Sequence, residues 1–492
     1  MRALPSGLAV SLSFVTALVL AAVAIQKGLV TDDAVRLWAG ATSAGTGDLS
    51  IGRIVAAYPT IPFLSTTLVA LLTPDSTPAP IIVASAVFAA ITGFWFVRFL
   101  TVGLPLWAAV LSTILIAFHP MMLRAVIGGP ADVFLALFLF MIASALFDLR
   151  ARSTTPEVMM VGLSLFALAF SHPIGAAIAF AMVPLLVLAV HPMLVANSSL
   201  NILIALLFPT IFGIFAFVYV SWIFPGAGWS YFAAPAESLS HWAVGIAHLI
   251  GDNLSGGLTV DASLATGAAL VLGAPVAIVA FSWVIRRRPL IAPALVFASA
   301  LIVAAASTVA TGLFGDPSAL AVASPVLAAI AMIRVPTVSQ RLSVILPLLA
   351  LGWIGGLISL ALIDPATTTR LTALVESRGG DSERIDTLAA GGAMVGRDGI
   401  LVDSQNAPAI VVGRGSARGV FAPSSEPFAL ALLLARLDAP FVAVPDPQSM
   451  IGISDRLNKA FPTLYREGAA GYRVIYQNMT WKMFERIPDK KD

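Results

Sequence analysis

The chain contains no cysteine. That excludes disulfides, thiolate metal sites and cysteine nucleophiles, and it suits a periplasm-facing protein that relies on none of them. Histidine is scarce: there are five, none in an HxxxH or HExxH pair, so a zinc site is not expected. Charge is scarce as well. Of 492 residues 59% are hydrophobic and 11% charged, against roughly 25% charged in a soluble domain. The alternation of barrel strands is missing; apolar residues run instead in stretches of about 17–25, long enough to cross a ~30 Å hydrocarbon core. The net charge is only +2, and the basic residues sit where membrane topology wants them, which leaves no support for a nucleic-acid partner. Composition therefore points to a polytopic α-helical membrane protein.

What is present can be read in order. The first 28 residues carry Arg2, an apolar stretch and small residues at Ala22–Ala24, the outline of a signal peptide. We expect this segment to remain as a first span over about 7–27, entering from the cytoplasm. Residues 28–79 then form an outer loop. Within it Ile51–Thr73 is apolar but contains Arg53, Pro59 and Pro62; prolines break a spanning hydrogen-bond ladder, so interfacial helices are expected there. Later spans are expected near 80–99, 104–121, 131–149, 157–171, 174–190, 200–224, 263–285, 290–312, 317–333 and 342–363. In this register Arg98, Arg150, Arg152, Arg286, Arg287, Arg288, Arg334 and Arg341 fall on the cytoplasmic side, as the positive-inside rule asks. Counting 51–73 as a span would place them all outside. The expectation is about eleven transmembrane helices in residues 1–363, in a bacterial inner membrane.

From Asp364 charge rises, and Asp and Gly turns alternate with short apolar runs at Ile400–Val402, Ala409–Val412, Phe441–Val444, Tyr472–Tyr476 and Thr480–Phe484. Helix-like stretches lie between them at Pro427–Leu437 and Ser454–Ala460. Residues 364–492 thus read as a small periplasmic α/β domain closing with a hairpin.

On this topology the ionisable residues of the membrane part gather on the outer side. Asp32 and Asp33 follow the first span. A carboxylate there can deprotonate an acceptor, or hold a divalent cation that neutralises phosphate, so such a cation stays open as a cofactor. The ordinary structural reading is that Thr31-Asp32-Asp33 caps the next helix. Asp132, after Gly128-Gly129-Pro130, has the same two readings. Arg124 goes against the positive-inside bias and suits bidentate phosphate contact, or else a salt bridge to Asp32 or Asp132. His119 and His172 each precede proline at an outer span end. The loop Phe224–Ser263 carries Trp229, Tyr231 and His241, which could stack on a sugar, cover a lipid, or simply form an interfacial aromatic belt. Gly413–Gly419 is read as a plain glycine-rich loop.

Two stretches in this layout, Thr31-Asp32-Asp33-Ala34-Val35-Arg36 and Tyr58-Pro59-Thr60-Ile61-Pro62-Phe63-Leu64, are followed by Phe118–Arg124 and Gly129-Pro130-Ala131-Asp132. Together they resemble the GT-C superfamily of membrane glycosyltransferases, above all the branch of protein O-mannosyltransferases and lipid A aminoarabinose transferases. The resemblance covers about residues 7–150 and is architectural beyond that. It implies a catalytic carboxylate at Asp32 or Asp33, with Asp132 as its partner near a lipid phosphate. It also implies a phosphate contact at Arg124; Arg36, His119, His172, Trp229, Tyr231 and His241 are further substrate-binding candidates. The lysines that grip phosphate in the aminoarabinose branch are missing here. The implied function is transfer of a sugar from a polyprenyl-phosphate donor to an acceptor at the outer membrane face. The alternative is a non-catalytic GT-C-like subunit of a membrane assembly with a protein partner on the C-terminal domain. A transporter fits less well, because no inverted repeat or charged midplane residue is present.

Overall fold

The computed structural model describes residues 3–28, 30–45, 57–73, 77–152, 154–223, 267–268, 270–285, 288–311, 317–335, 341–363, 382–423 and 425–487. The chain divides into two compact units. The first comprises Met1–Ala21, Ile51–Phe63 and Ile81–Thr369; the second comprises Ala22–Ser50, Leu64–Pro80 and Arg370–Asp492.

The helices run α1 (Ala3–Gln26), α2 (Asp32–Gly45), α3 (Thr60–Leu72), α4 (Ala79–Thr101), α5 (Leu106–Ala117), α6 (Pro120–Gly128), α7 (Pro130–Ala151), α8 (Thr155–Ser171), α9 (Pro173–Met182), α10 (Pro192–Ile223), α11 (Pro275–Val284), α12 (Arg288–Thr311), α13 (Ala323–Arg334) and α14 (Leu342–Ile363). Five of them contain stretches long and apolar enough to cross a membrane: Ala79–Thr101, Pro130–Ala151, Leu200–Val220, Leu290–Thr308 and Leu342–Leu360. The pair α5 and α6, bent by 53°, would make a sixth. The remaining apolar helices among the described residues, such as α8, α11 and α3, are 10–17 residues long.

The apolar faces identify the solvent. In α10 Phe208, Phe212, Phe215 and Trp222 are all more than 60% exposed, on a helix apolar around its whole circumference. Contiguous exposed apolar surface of this kind belongs against lipid rather than water. By contrast α7 is the buried axis of the first unit. Val133, Leu135, Ala136, Leu139, Ile142 and Leu146 are covered, and α8, α12 and α13 pack around it.

The break between α5 and α6 follows from the sequence Phe118-His119-Pro120. Proline has no N–H to donate and fits only the first turn of a new helix, and His119 is extended with φ −58° and ψ 139°. Helix α14 satisfies what the break exposes. Trp353 Nε1 donates to the Phe118 carbonyl at 2.9 Å, and His119 Nε2 donates to the Gly352 carbonyl at 3.0 Å. In an apolar medium an unpaired backbone carbonyl is costly, so a neighbouring helix has to supply the donor. Gly356 makes the approach possible: a Cβ there would stand 2.5 Å from the His119 ring.

The second unit carries the sheet. Strands β1 (Ile400–Leu401), β2 (Val420–Phe421), β3 (Phe441–Pro445), β4 (Tyr472–Gln477) and β5 (Trp481–Arg486) lie in the order β2-β1-β3-β5-β4. β1 is parallel to β2 and β3; β5 is antiparallel to β3 and β4. The expected closing hairpin is β4–β5. Both faces are covered, as alternation requires. Ile400, Val402, Ala443, Trp481 and Met483 face one core; Leu401, Val442, Val444 and Phe484 face the other. The first core also receives Ala39 of α2, so the helix after the acidic pair packs within this unit. The apolar run Ala409–Val412 is not a strand. It lies in a short helix, Ala409–Arg414, launched by Pro408 and ended by Gly415 in the left-handed region at φ 72°.

Candidate functional site

Three ionisable side chains meet in the first unit, where the ends of α6, α7 and α9 come together. Asp132 lies in the first turn of α7, a place where a carboxylate is favoured by the helix dipole. Arg124 Nη1 is 3.4 Å from Asp132 Oδ2, and His172 Nε2 is 3.2 Å from Asp132 Oδ1. The Arg124 and His172 side chains are each 10% exposed and that of Asp132 14%. Charged groups among apolar helices are costly unless paired, and they mark functional positions by default.

Local sequence explains the assembly. Gly129 adopts φ 103°, a conformation that favours glycine, and Pro130 starts α7 with its fixed φ. Gly128 leaves room for the carboxylate, since a Cβ there would lie 2.2 Å from Asp132 Oδ2. His172 is set by its own helix: its Nδ1 accepts the Ile174 N–H at 3.0 Å as the N-cap of α9. With Nδ1 committed as acceptor, the proton sits on Nε2 and is donated to Asp132.

His119 repeats the device without a carboxylate. Its Nδ1 accepts the Met121 N–H at 3.2 Å and its Nε2 reaches the Gly352 carbonyl. It is buried at 3% exposure, so its visible work is to cap α6 and tie it to α14.

Asp32, Asp33 and Arg36 belong to the second unit. They start α2, and Thr31 Oγ1 accepts the Ala34 N–H at 3.4 Å. Asp32 forms an ion pair with Arg384 of the helix Ser382–Ala393. Asp33 pairs with Arg36 one turn on, at 4.0 Å. The Asp32 and Asp33 side chains are 71% and 85% exposed. Trp229, Tyr231 and His241 lie outside the described residues.

Of the candidates named from sequence, the structure thus gathers Arg124, Asp132 and His172 into one cluster and engages His119 elsewhere. The sequence reading had Arg124 and Asp132 as potential partners but missed the His172 link. A signal for it existed: His119 and His172 each precede proline at a helix start, and each caps that helix through Nδ1. Arg384, far from Asp32 along the chain, left no signal. Among the described residues no group of three or more His, Asp or Glu side chains is arranged to hold a metal ion. In Gly413–Gly419 the buried Arg414 donates to the carbonyls of Met394, Ser416, Arg397 and Arg418 and so pins the surrounding turns.

Chemically, a guanidinium held by a carboxylate is a preorganised contact for phosphate. A carboxylate held by an imidazole N–H can receive a proton from a hydroxyl. Comparisons with protein-family models, with curated proteins and with solved structures find no match.

Proposed function

We propose that the chain is an inverting glycosyltransferase that moves a sugar from a polyprenyl-phosphate donor to an acceptor hydroxyl at a membrane surface. The observation that carries this reading is the buried Arg124–Asp132–His172 cluster at the ends of apolar helices. In the reaction the acceptor oxygen forms a bond to the anomeric carbon. The bond from that carbon to the phosphate oxygen breaks, and the electron pair leaves with the polyprenyl phosphate. The acceptor proton passes to a carboxylate. Arg124, oriented by Asp132, is the phosphate contact. The resemblance to GT-C enzymes assigns the base to Asp32 or Asp33, with their outer location part of the same proposal.

A second reading is favoured by one observation. Asp32 is engaged by Arg384 and heads a helix packed into the C-terminal unit, as a structural residue would be. The chain would then be a non-catalytic subunit.

The test is turnover of a panel of polyprenyl-phosphate sugars by the protein in lipid nanodiscs, with release of polyprenyl phosphate followed by mass spectrometry. Wild type should consume at least one donor. Asp132→Asn, and Asp32→Asn or Asp33→Asn, should lose about a hundredfold or more in rate at unchanged expression, the size expected for a lost acid–base group. No consumption of any donor, or turnover indifferent to all three substitutions, would sink the transferase and favour the subunit.

A further inference from the structure

A second charged site lies at the far end of α7. Asp148 lies on the same helix as Asp132, about 24 Å further along it at 1.5 Å per residue. There α4, α7 and the start of α8 enclose a cavity of about 520 Å³, open at one side. This volume is within the ~300–1,000 Å³ of pockets that hold small ligands. Its wall is apolar and aromatic, with Phe94, Trp95, Phe140 and Met160. Its mouth is charged, with Arg98, Arg152 and Arg334 set against Asp148 and Glu157.

The charges at the mouth do not balance. Arg334 grips Asp148 with both terminal nitrogens at 2.6 Å, and Arg152 faces Glu157 at 4.0 Å. Arg98 is left over: among the described residues its guanidinium has no carboxylate partner and lies over the Phe94 ring at 5.8 Å. Its Nε is buried and makes no hydrogen bond, and neither does the Nε of Arg334. A buried guanidinium N–H without an acceptor is an expense the fold carries until an acceptor arrives.

From these features we infer that the cavity binds an anionic glycerophospholipid of the bilayer, with its phosphate on Arg98 and an acyl chain along the aromatic wall. The uncompensated positive charge selects an anionic headgroup over a zwitterionic one, since basic pockets between membrane helices recognise acidic lipids. Its distance from Asp132 along α7 makes this lipid distinct from a sugar donor held at the other end. The site stands whether or not the chain transfers a sugar.

The experiment is thermal unfolding of the full-length protein in neutral micelles doped with phosphatidylglycerol, with phosphatidylcholine, or with water-soluble glycerol phosphate. Bound lipid is counted in parallel by native mass spectrometry. Phosphatidylglycerol alone should raise the melting temperature of wild type. Arg98→Gln should bind it about tenfold more weakly, the loss of one charge-assisted contact. Ala90→Phe, which fills the wall, should displace the bound lipid and keeps the test open if Arg98→Gln does not express. Equal stabilisation by phosphatidylcholine, stabilisation by glycerol phosphate, or phosphatidylglycerol binding unaltered in both variants would overturn the inference.

Discussion

His172 performs two tasks with one ring. Nδ1 caps α9 and Nε2 holds Asp132, and the two can be separated. Asparagine is among the best N-cap residues, but its side chain is too short to do both jobs. His172→Asn should therefore keep the cap and lose the carboxylate, whereas His172→Ala loses both. We expect Ala to be about 1 kcal/mol less stable than Asn, by chemical denaturation in detergent, and both to reduce turnover alike. Equal stability of the two would show that Nδ1 contributes nothing as a cap. Gly128 belongs to the same arrangement, because any side chain there would push on Asp132.

The broken pair α5–α6 shows how one element depends on another. His119-Pro120 makes the bend, but α14 makes it tolerable by donating Trp353 Nε1 to the Phe118 carbonyl. Trp353→Phe keeps most of the ring and removes the donor. The stranded carbonyl should cost about 1–3 kcal/mol in apparent stability. Hydrogen exchange at Phe118–Met122 should rise in step. An unchanged exchange rate would mean that the carbonyl finds another donor. The break was half legible beforehand. His119-Pro120 stands at a span end in the sequence, yet hydropathy alone implies a continuous span over 104–121, because it does not report direction. The size of the bend, 53°, is read only from the folded pair.

Taken whole, the chain divides its chemistry between two units, and the second has a pH response of its own. Asp455, fully buried, N-caps the helix Arg456–Ala460 through the Asn458 N–H at 2.8 Å. Burial pushes its carboxyl from 3.8 up to about 7, against the pull of that N–H and reinforced by the nearby Asp403. The folded state therefore holds a proton that the unfolded chain releases. This contribution to stability is full below about pH 3.8 and is lost as pH rises to about 7. Asp455→Asn keeps the cap without the charge. It should flatten this dependence and raise stability at pH 8, read as slower hydrogen exchange in β3 and β5 of the full-length protein. A variant less stable than wild type at pH 8 would show that the carboxylate is tolerated there.

Much of this protein is written locally. Long apolar runs and scarce charge point to a helical membrane protein, because hydrocarbon demands segments that satisfy their own backbone hydrogen bonds. Alternation and Asp–Gly turns announce the C-terminal sheet. The span expected over 104–121 came out as the shorter helix α5, because His119-Pro120 breaks it. Ala409–Val412 turned helical because Pro408 and the adjoining core outweigh the strand preference of its valines. That Asp132 joins Arg124 and His172, that Asp32 joins Arg384, and that Arg98 has no carboxylate partner among the described residues all depend on residues far apart in the chain. Such pairings are free-energy choices among many ionic partners, and only packing, by excluding water and setting distance, makes one of them the cheapest.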